Sequence, residues 1–291
     1  MDIINIKIDE LNIIKENDID ITIGAYDGIH NGHIAVLNEL IKKKGNHKTA
    51  VMTFKSHPDL YLHKRSDQGS IETIDEKVLV LETLGIDYLL VLDNEFLSLS
   101  YQEFNQVLKK LKVKRVVVGN DFVYGKGALG NIDTLKGDFT IDVIDIIKDE
   151  NGKLSSSTIR EALKNGDISL VNKYLNKEYQ IKGVVSNNDK DWNLPGYKIA
   201  TLEIGEKYHD LKKGIYHVVV DINENENIKS YNGLAYFNKS KEPWLEIYIL
   251  NYDNNLYGKE IVVRFISFIR DEIDYNTKEE LLKQIKEDIK R

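Results

Sequence analysis

Hydrophobic positions follow two different rules along this chain, and the rule changes near residue 182. Before that point, apolar runs rich in branched side chains at 21–23, 50–54, 88–92, 115–118 and 141–147 alternate with helix-period segments near 34–44, 76–84 and 101–111. That alternation predicts parallel βαβ units. Phe104, Val107, Leu108 and Leu111 keep the spacing of one apolar stripe, whereas Val78, Leu79, Leu81 and Leu84 mix faces and predict a well-buried helix. An α/β doubly wound sheet follows, with its ligand crevice at the carboxyl ends of the strands. The loops at 24–32, 55–58 and 119–127 all fall at that edge.

From residue 180 to 268 the segments instead alternate apolar and polar residues, as in Leu245-Glu-Ile-Tyr-Ile-Leu250, and are broken by Gly, Asn and Pro clusters. This predicts an antiparallel β-barrel or sandwich. We therefore expect two domains, at 1–179 and 180–291. A closing helix is expected with Asn276 as its cap, Glu279 completing a capping box, and Leu281, Leu282, Ile285 and Ile289 as its apolar stripe.

Composition narrows the classes of function. The chain has 291 residues, 42% of them apolar, which suffices for two ordinary cores. It has no cysteine, which removes disulfides and thiol chemistry. No apolar run reaches the ~18 residues of a membrane span, and no charged-then-apolar leader is present, so a cytoplasmic protein without a membrane partner is expected. A net charge of −7 argues against a nucleic-acid partner but permits a small anionic ligand held by local donors. The oligomeric state is not legible.

The chemistry concentrates in Gly24-Ala-Tyr-Asp-Gly-Ile-His-Asn-Gly-His33, between a strand and a helix. Glycines at 24, 28 and 32 let the backbone approach a polyphosphate, and the first amides of the helix point at it. His30 and His33 can converge on one face and donate to charge developing between phosphates. The competing readings are a HxxH metal pair, which zinc would have to complete with further ligands, and plain surface histidines. Asp27, before a glycine, reads equally well as a turn former. A second candidate anion element is Lys153-Leu-Ser-Ser-Ser-Thr-Ile-Arg160, where Ser155 and Ser156 offer hydroxyls at a helix start and Arg160 lies one turn in. Ordinary N-capping would also explain the serines.

Taken together, these residues resemble the bifunctional prokaryotic riboflavin kinase/FAD synthetase family. The glycine–histidine turn resembles that family's GxFDGxHxGH, Thr53-Phe-Lys-Ser-His-Pro58 its TFxPHP, Val118-Gly-Asn-Asp-Phe-Val-Tyr-Gly125 its VGxDFxFG, and 154–160 its ISSTxIR, in order and spacing. Gly214-Ile-Tyr216, Leu245-Glu246, Leu256-Tyr-Gly258 and Ile269-Arg270 resemble the barrel of the kinase module. The resemblance implies a Rossmann-like nucleotidyltransferase domain that joins FMN and ATP as substrates, with magnesium. It implies that His30, His33, Ser155, Ser156 and Arg160 are catalytic. Gly24, Tyr26, Asp27, Gly28, Gly32 and Asp121 would bind nucleotide, Asp121 also the metal, and Phe54, His57 and Pro58 the flavin. His57 and Pro58 could equally form a rigid turn.

The kinase half departs from the pattern. Where the family carries PTAN, this chain has Lys198-Ile-Ala-Thr201, and Ile199 cannot replace a liganding hydroxyl toward a hard cation. Glu246 matches the catalytic glutamate, and Thr201 stands at the asparagine position. The expectation is an FAD synthetase with a weak or lost kinase. A fully bifunctional enzyme and a barrel that only binds flavin are the alternatives.

Overall fold

The computed structural model describes the chain except residues 12, 13, 15–17, 56, 62–68, 151, 187–196, 205–207, 225, 226, 239–244, 276 and 291. Its contacts divide it into two units, Met1–Ser156 and Ser157–Arg291. The strand β1 (Asp2–Ile6) is followed by β2 (Ile19–Ile23), α1 (Asn31–Lys42), β3 (Lys48–Phe54), α2 (Ile74–Thr83), β4 (Tyr88–Leu92), α3 (Tyr101–Lys110), β5 (Val113–Gly119) and β6 (Thr140–Ile144). These six strands form one parallel sheet in the order β1-β4-β3-β2-β5-β6. Strand order runs one way from β2 to β4 and the other way through β5 and β6. The topological switch therefore lies between β2 and β5, where an α/β sheet opens a crevice.

Burial on both faces explains the strand sequences. All five residues of β2 are buried. Ile19, Ile21 and Ile23 join Phe104, Val107 and Leu108 of α3 in one core, while Val51, Leu89 and Val117 face Leu37, Leu40 and Leu81 from α1 and α2 in the other. Helices thus cover both sides, as the apolar runs predict. The far end of the sheet carries a buried ionic knot. Arg115 Nε donates to Asp20 at 2.9 Å, and its two terminal nitrogens reach Asp142 at 2.9 Å and the Leu40 carbonyl at 2.7 Å. The knot ties the last turn of α1 to β2, β5 and β6.

Two strand expectations are corrected. The edge strand β1 pairs with β4 although the pattern did not reveal it; only Ile6 of its five residues is buried, so its sequence never becomes a continuous apolar run. The last strand ends at Ile144 rather than 147, because the Ile147 carbonyl turns to accept from Leu154 N at 3.0 Å.

In the second unit, α4 (Ser156–Asn165) and α5 (Ile168–Leu175) precede β7 (Tyr179–Ser186), β8 (Tyr197–Glu203), β9 (Gly214–Glu224), β10 (Asn227–Phe237), β11 (Leu245–Leu250) and β12 (Glu260–Arg270). These strands close into an antiparallel barrel in the order β7-β8-β11-β10-β9-β12. Tyr216, Val218, Val220, Ile247, Ile249, Val263 and Phe265 are fully buried, at alternate positions. Helix α5 packs on β7 and β12, so contacts group the helical stretch before residue 179 with the barrel, whereas the change of hydrophobic pattern falls after it.

The terminal helix α6 (Lys278–Asp288) is capped by Thr277, whose hydroxyl accepts from Glu280 N at 3.2 Å. This moves the expected cap on by one residue, since the threonine side chain satisfies the orphan amide of Glu280; Asn276 lies outside the described residues. Leu281, Leu282, Ile285 and Ile289 pack against Ile199, Ile215 and Tyr248 on the outer face of the barrel.

Candidate active site

The glycine–histidine turn begins where β2 ends, beside the switch point. The backbone takes φ 47° at Tyr26 and 69° at Gly28. Tyr26 is held there by a 2.6 Å bond between its hydroxyl and Thr22 Oγ1. Burial raises its phenol above the ordinary range, against the opposing effect of that bond. Gly28 has no substitute: a Cβ there would lie 2.8 Å from Ile71 Cγ2, at a φ that L side chains avoid.

Three further bonds clamp the turn. Asp27, 1% exposed, accepts from Ile71 N at 2.7 Å through Oδ1. Ile29 N donates to Glu72 Oε2, and Ser156 Oγ donates to the Asp27 carbonyl at 2.7 Å. Asp27 is therefore a turn former here.

His30 is the N-cap of α1, with its Nδ1 accepting from His33 N at 3.2 Å. His33 Nδ1 lies 3.2 Å from the Gly28 carbonyl, which only accepts, so in the neutral ring this nitrogen carries the proton. The two rings stack with centroids 3.7 Å apart, and Tyr26 leans on His33 at 4.7 Å. Gly32 permits the stack, since a Cβ there would stand 3.0 Å from the His30 ring. Burial, then the neighbouring His33, lowers His30 to about 2. His33 is lowered to about 4, mainly by burial and further by the charge of Lys77, against the pull of the Gly28 carbonyl. Both rings are neutral at physiological pH, with Nδ1 occupied and Nε2 left for a ligand.

The other expected residues are more scattered. Asp121 is exposed and paired with Lys153, whose charge also helps to keep His30 neutral. Ser155 is partly exposed just before α4, Ser156 opens that helix, and Arg160 is buried one turn along it, on the second unit's side of the division. Phe54 ends β3 and packs against the sheet core. His57 Nδ1 accepts from Asp59 N at 3.2 Å, and Pro58 starts a single helical turn, Pro58–Tyr61. These local bonds are those of a rigid turn.

In the barrel, Thr201 and Glu246 are direct cross-strand partners. Ile199 pairs with Tyr248 and belongs to the apolar cluster under α6. The rest of the divergent kinase stretch, 187–196, lies outside the described residues.

Sequence reasoning missed Ile71 and Glu72. They sit 44 and 43 positions from their partners, so no local motif marks them. Among the described residues no three His, Cys, Asp or Glu side chains cluster to hold a metal.

Comparison with known proteins gives a consistent family. Residues 13–158 match the family described as FAD synthetase, and residues 175–291 the family described as riboflavin kinase. A bifunctional riboflavin kinase/FMN adenylyltransferase of Bacillus subtilis is 31% identical over 298 residues, spanning 95% of this chain and 93% of that protein. Its counterpart from Listeria monocytogenes is 30% identical over 279 residues, spanning 91% and 88%. A crystal structure described as a macrolide-efflux protein from Streptococcus pneumoniae superposes with a TM-score of 0.87 at 26% identity, covering 99% of this chain and 97% of that one.

The histidine geometry predicts a pH response. In the unfolded chain both imidazoles protonate near pH ~6.5. Folded, His33 resists protonation to about 4 and His30 to about 2. Below pH ~6.5 the unfolded state thus binds more protons, so stability is complete above that pH and falls as pH drops, by up to ~1.4 kcal/mol per pH unit for each ring. Histidine NMR from about pH 8 to about pH 5 should find both rings untitrated. A midpoint near 6.5 for either ring would mean that burial does not control it.

Proposed function

The chain belongs to the bifunctional riboflavin kinase/FMN adenylyltransferase family, and on that premise we propose that its first unit transfers AMP from ATP to FMN, releasing FAD and pyrophosphate. The observation that carries this reading is the clamped turn at the switch point, with two stacked, neutral imidazoles at the start of α1. An FMN phosphate oxygen attacks the α-phosphorus of ATP in line while the bond to the β-phosphate oxygen breaks, so no enzyme nucleophile is required, only positioning and charge stabilisation.

In this reading His30 donates from Nε2, and His33 takes up a proton at Nε2 as the anion arrives and its charge offsets the cost of burial. The turn residues Gly24 to Gly32 line the nucleotide. Ser155, Ser156 and Arg160, at the start of α4, hold the β- and γ-phosphates of the leaving group. Phe54, His57 and Pro58 shape the flavin side. Magnesium fits as an ion carried mainly by the nucleotide's own phosphates, since it keeps several waters and needs one or two carboxylates. Asp121 is the carboxylate at hand, once Lys153 yields it. Bound there, the ion would neutralise charge on the phosphates. No helix among the described residues is long and apolar enough to cross a membrane, which accords with a cytoplasmic enzyme of small-molecule substrates.

For the second unit we propose a weak or absent riboflavin kinase. Ile199 supports this, because its side chain is committed to packing under α6 at a position where the family places a metal-binding hydroxyl. One observation favours the fully bifunctional alternative: Thr201 sits opposite Glu246, so an oxygen donor remains beside the expected base.

Incubation with FMN and magnesium-ATP should accumulate FAD, and His33→Ala should slow turnover by roughly 10²-fold or more, the scale of one preorganised donor. Folded protein that binds nucleotide yet makes no FAD would refute the proposal. Riboflavin with magnesium-ATP should yield little or no FMN. Robust FMN formation that disappears in Glu246→Gln would establish the bifunctional alternative.

A further inference from the structure

Thr22 puts a hydroxyl in the middle of a wholly buried strand. The other residues of β2 are three isoleucines and Asp20, which belongs to the ionic knot at the far end of the sheet. A hydroxyl buried there has to find its partner inside the protein. That partner lies in the turn: Thr22 Oγ1 stands 2.6 Å from the hydroxyl of Tyr26, which is itself buried. Valine and phenylalanine, of nearly the same shape, would leave nothing to satisfy.

The bond acts on the ring more than on the backbone. At φ 47° Tyr26 occupies the left-handed region, which a bulky side chain keeps only when its surroundings hold it there. The chain just before it is fixed separately, by Thr53 Oγ1 donating to the Ala25 carbonyl at 2.9 Å and Gly24 N donating to the Met52 carbonyl at 3.0 Å. What Thr22 adds is the direction of the phenol. Gly24 makes room for it, since a Cβ there would lie 3.1 Å from Tyr26 Cε2. His33 is then in ring contact with both Tyr26 and His30, at 4.7 and 3.7 Å between centroids.

We infer that Thr22 is a positioning residue for the transfer to FMN: through the phenol of Tyr26 it holds the His33 ring in the orientation that leaves Nε2 to the nucleotide. The catalytic half of this inference rests on reading the turn as the ATP site. The contact of His33 Nδ1 with the Gly28 carbonyl fixes one edge of the imidazole, yet a ring held by a single hydrogen bond can still swing about it. Contact with a tethered phenol removes that freedom. A donor already in place when charge builds on the phosphates needs no reorganisation during the reaction.

The test uses the full chain with Thr22→Val, Thr22→Ser and the double variant Thr22→Val/Tyr26→Phe. Removing both hydroxyls leaves neither unpaired, so the double variant should keep its Tm, whereas Thr22→Val alone strands the phenol in the core and should lower it. Nitrogen NMR of histidine-labelled protein should show His33 as the single Nδ1–H tautomer in wild type and Thr22→Ser, and averaged between tautomers in both valine variants. With FMN and magnesium-ATP, the valine variants should lose roughly tenfold or more in kcat through misplacement of the donor, with the KM for FMN unmoved and Thr22→Ser close to wild type. A folded double variant with wild-type kcat and a single His33 tautomer overturns the inference, even if Thr22→Val lowers the Tm, because satisfying a buried hydroxyl would then be all that the bond does. Lost turnover with the tautomer intact overturns it too, since the loss would not pass through His33. Should neither valine variant fold, Tyr26→Phe, which takes one oxygen from the pair, is read in the same way. Wild-type protein that makes no FAD would bring down the reading of the turn, while the tautomer comparison would still decide the tether.

Discussion

The anchoring of one short turn is the constraint on which the nucleotidyltransferase unit depends. Residues 24–33 leave β2 through a left-handed conformation at Tyr26 and Gly28, which a free loop would not hold. It is held because Asp27 and Ile29 are bonded to residues 71 and 72 on one side, and the Asp27 carbonyl to Ser156 on the other. At the opposite end of α1, Arg115 fixes the Leu40 carbonyl to the sheet. A helix secured at both ends keeps its N-cap histidine and its third residue in one register, and the ring stack follows.

That same packing sets the electrostatics. Burial removes the water that would let His30 and His33 charge, so the site holds neutral imidazoles. Such a site favours an arriving anion, whose charge offsets the cost of protonating a buried ring.

How much of this was legible depended on the range of the interaction. Strands such as β4 are readable since burial on both faces writes a continuous apolar run, while β1 at the edge is half polar and escaped notice. The glycine–histidine turn is readable because its chemistry lies within ten consecutive residues. Ile71 and Glu72 are not, because their importance comes from contacts made across more than forty residues of chain. In the barrel, Glu246 stood out by its motif, but its pairing with Thr201 follows from strand register, which alternation alone leaves open. The role of Ile199 also became visible only with α6 packed over it.

If positioning and charge stabilisation suffice for the transfer, no covalent adenylyl-enzyme forms. Isotope exchange between pyrophosphate and ATP, measured with magnesium but without FMN, addresses this directly. The account predicts no exchange until FMN is present, since only the flavin's phosphate can displace pyrophosphate. Rapid exchange in the absence of FMN would contradict it, by revealing a covalent step on an enzyme nucleophile.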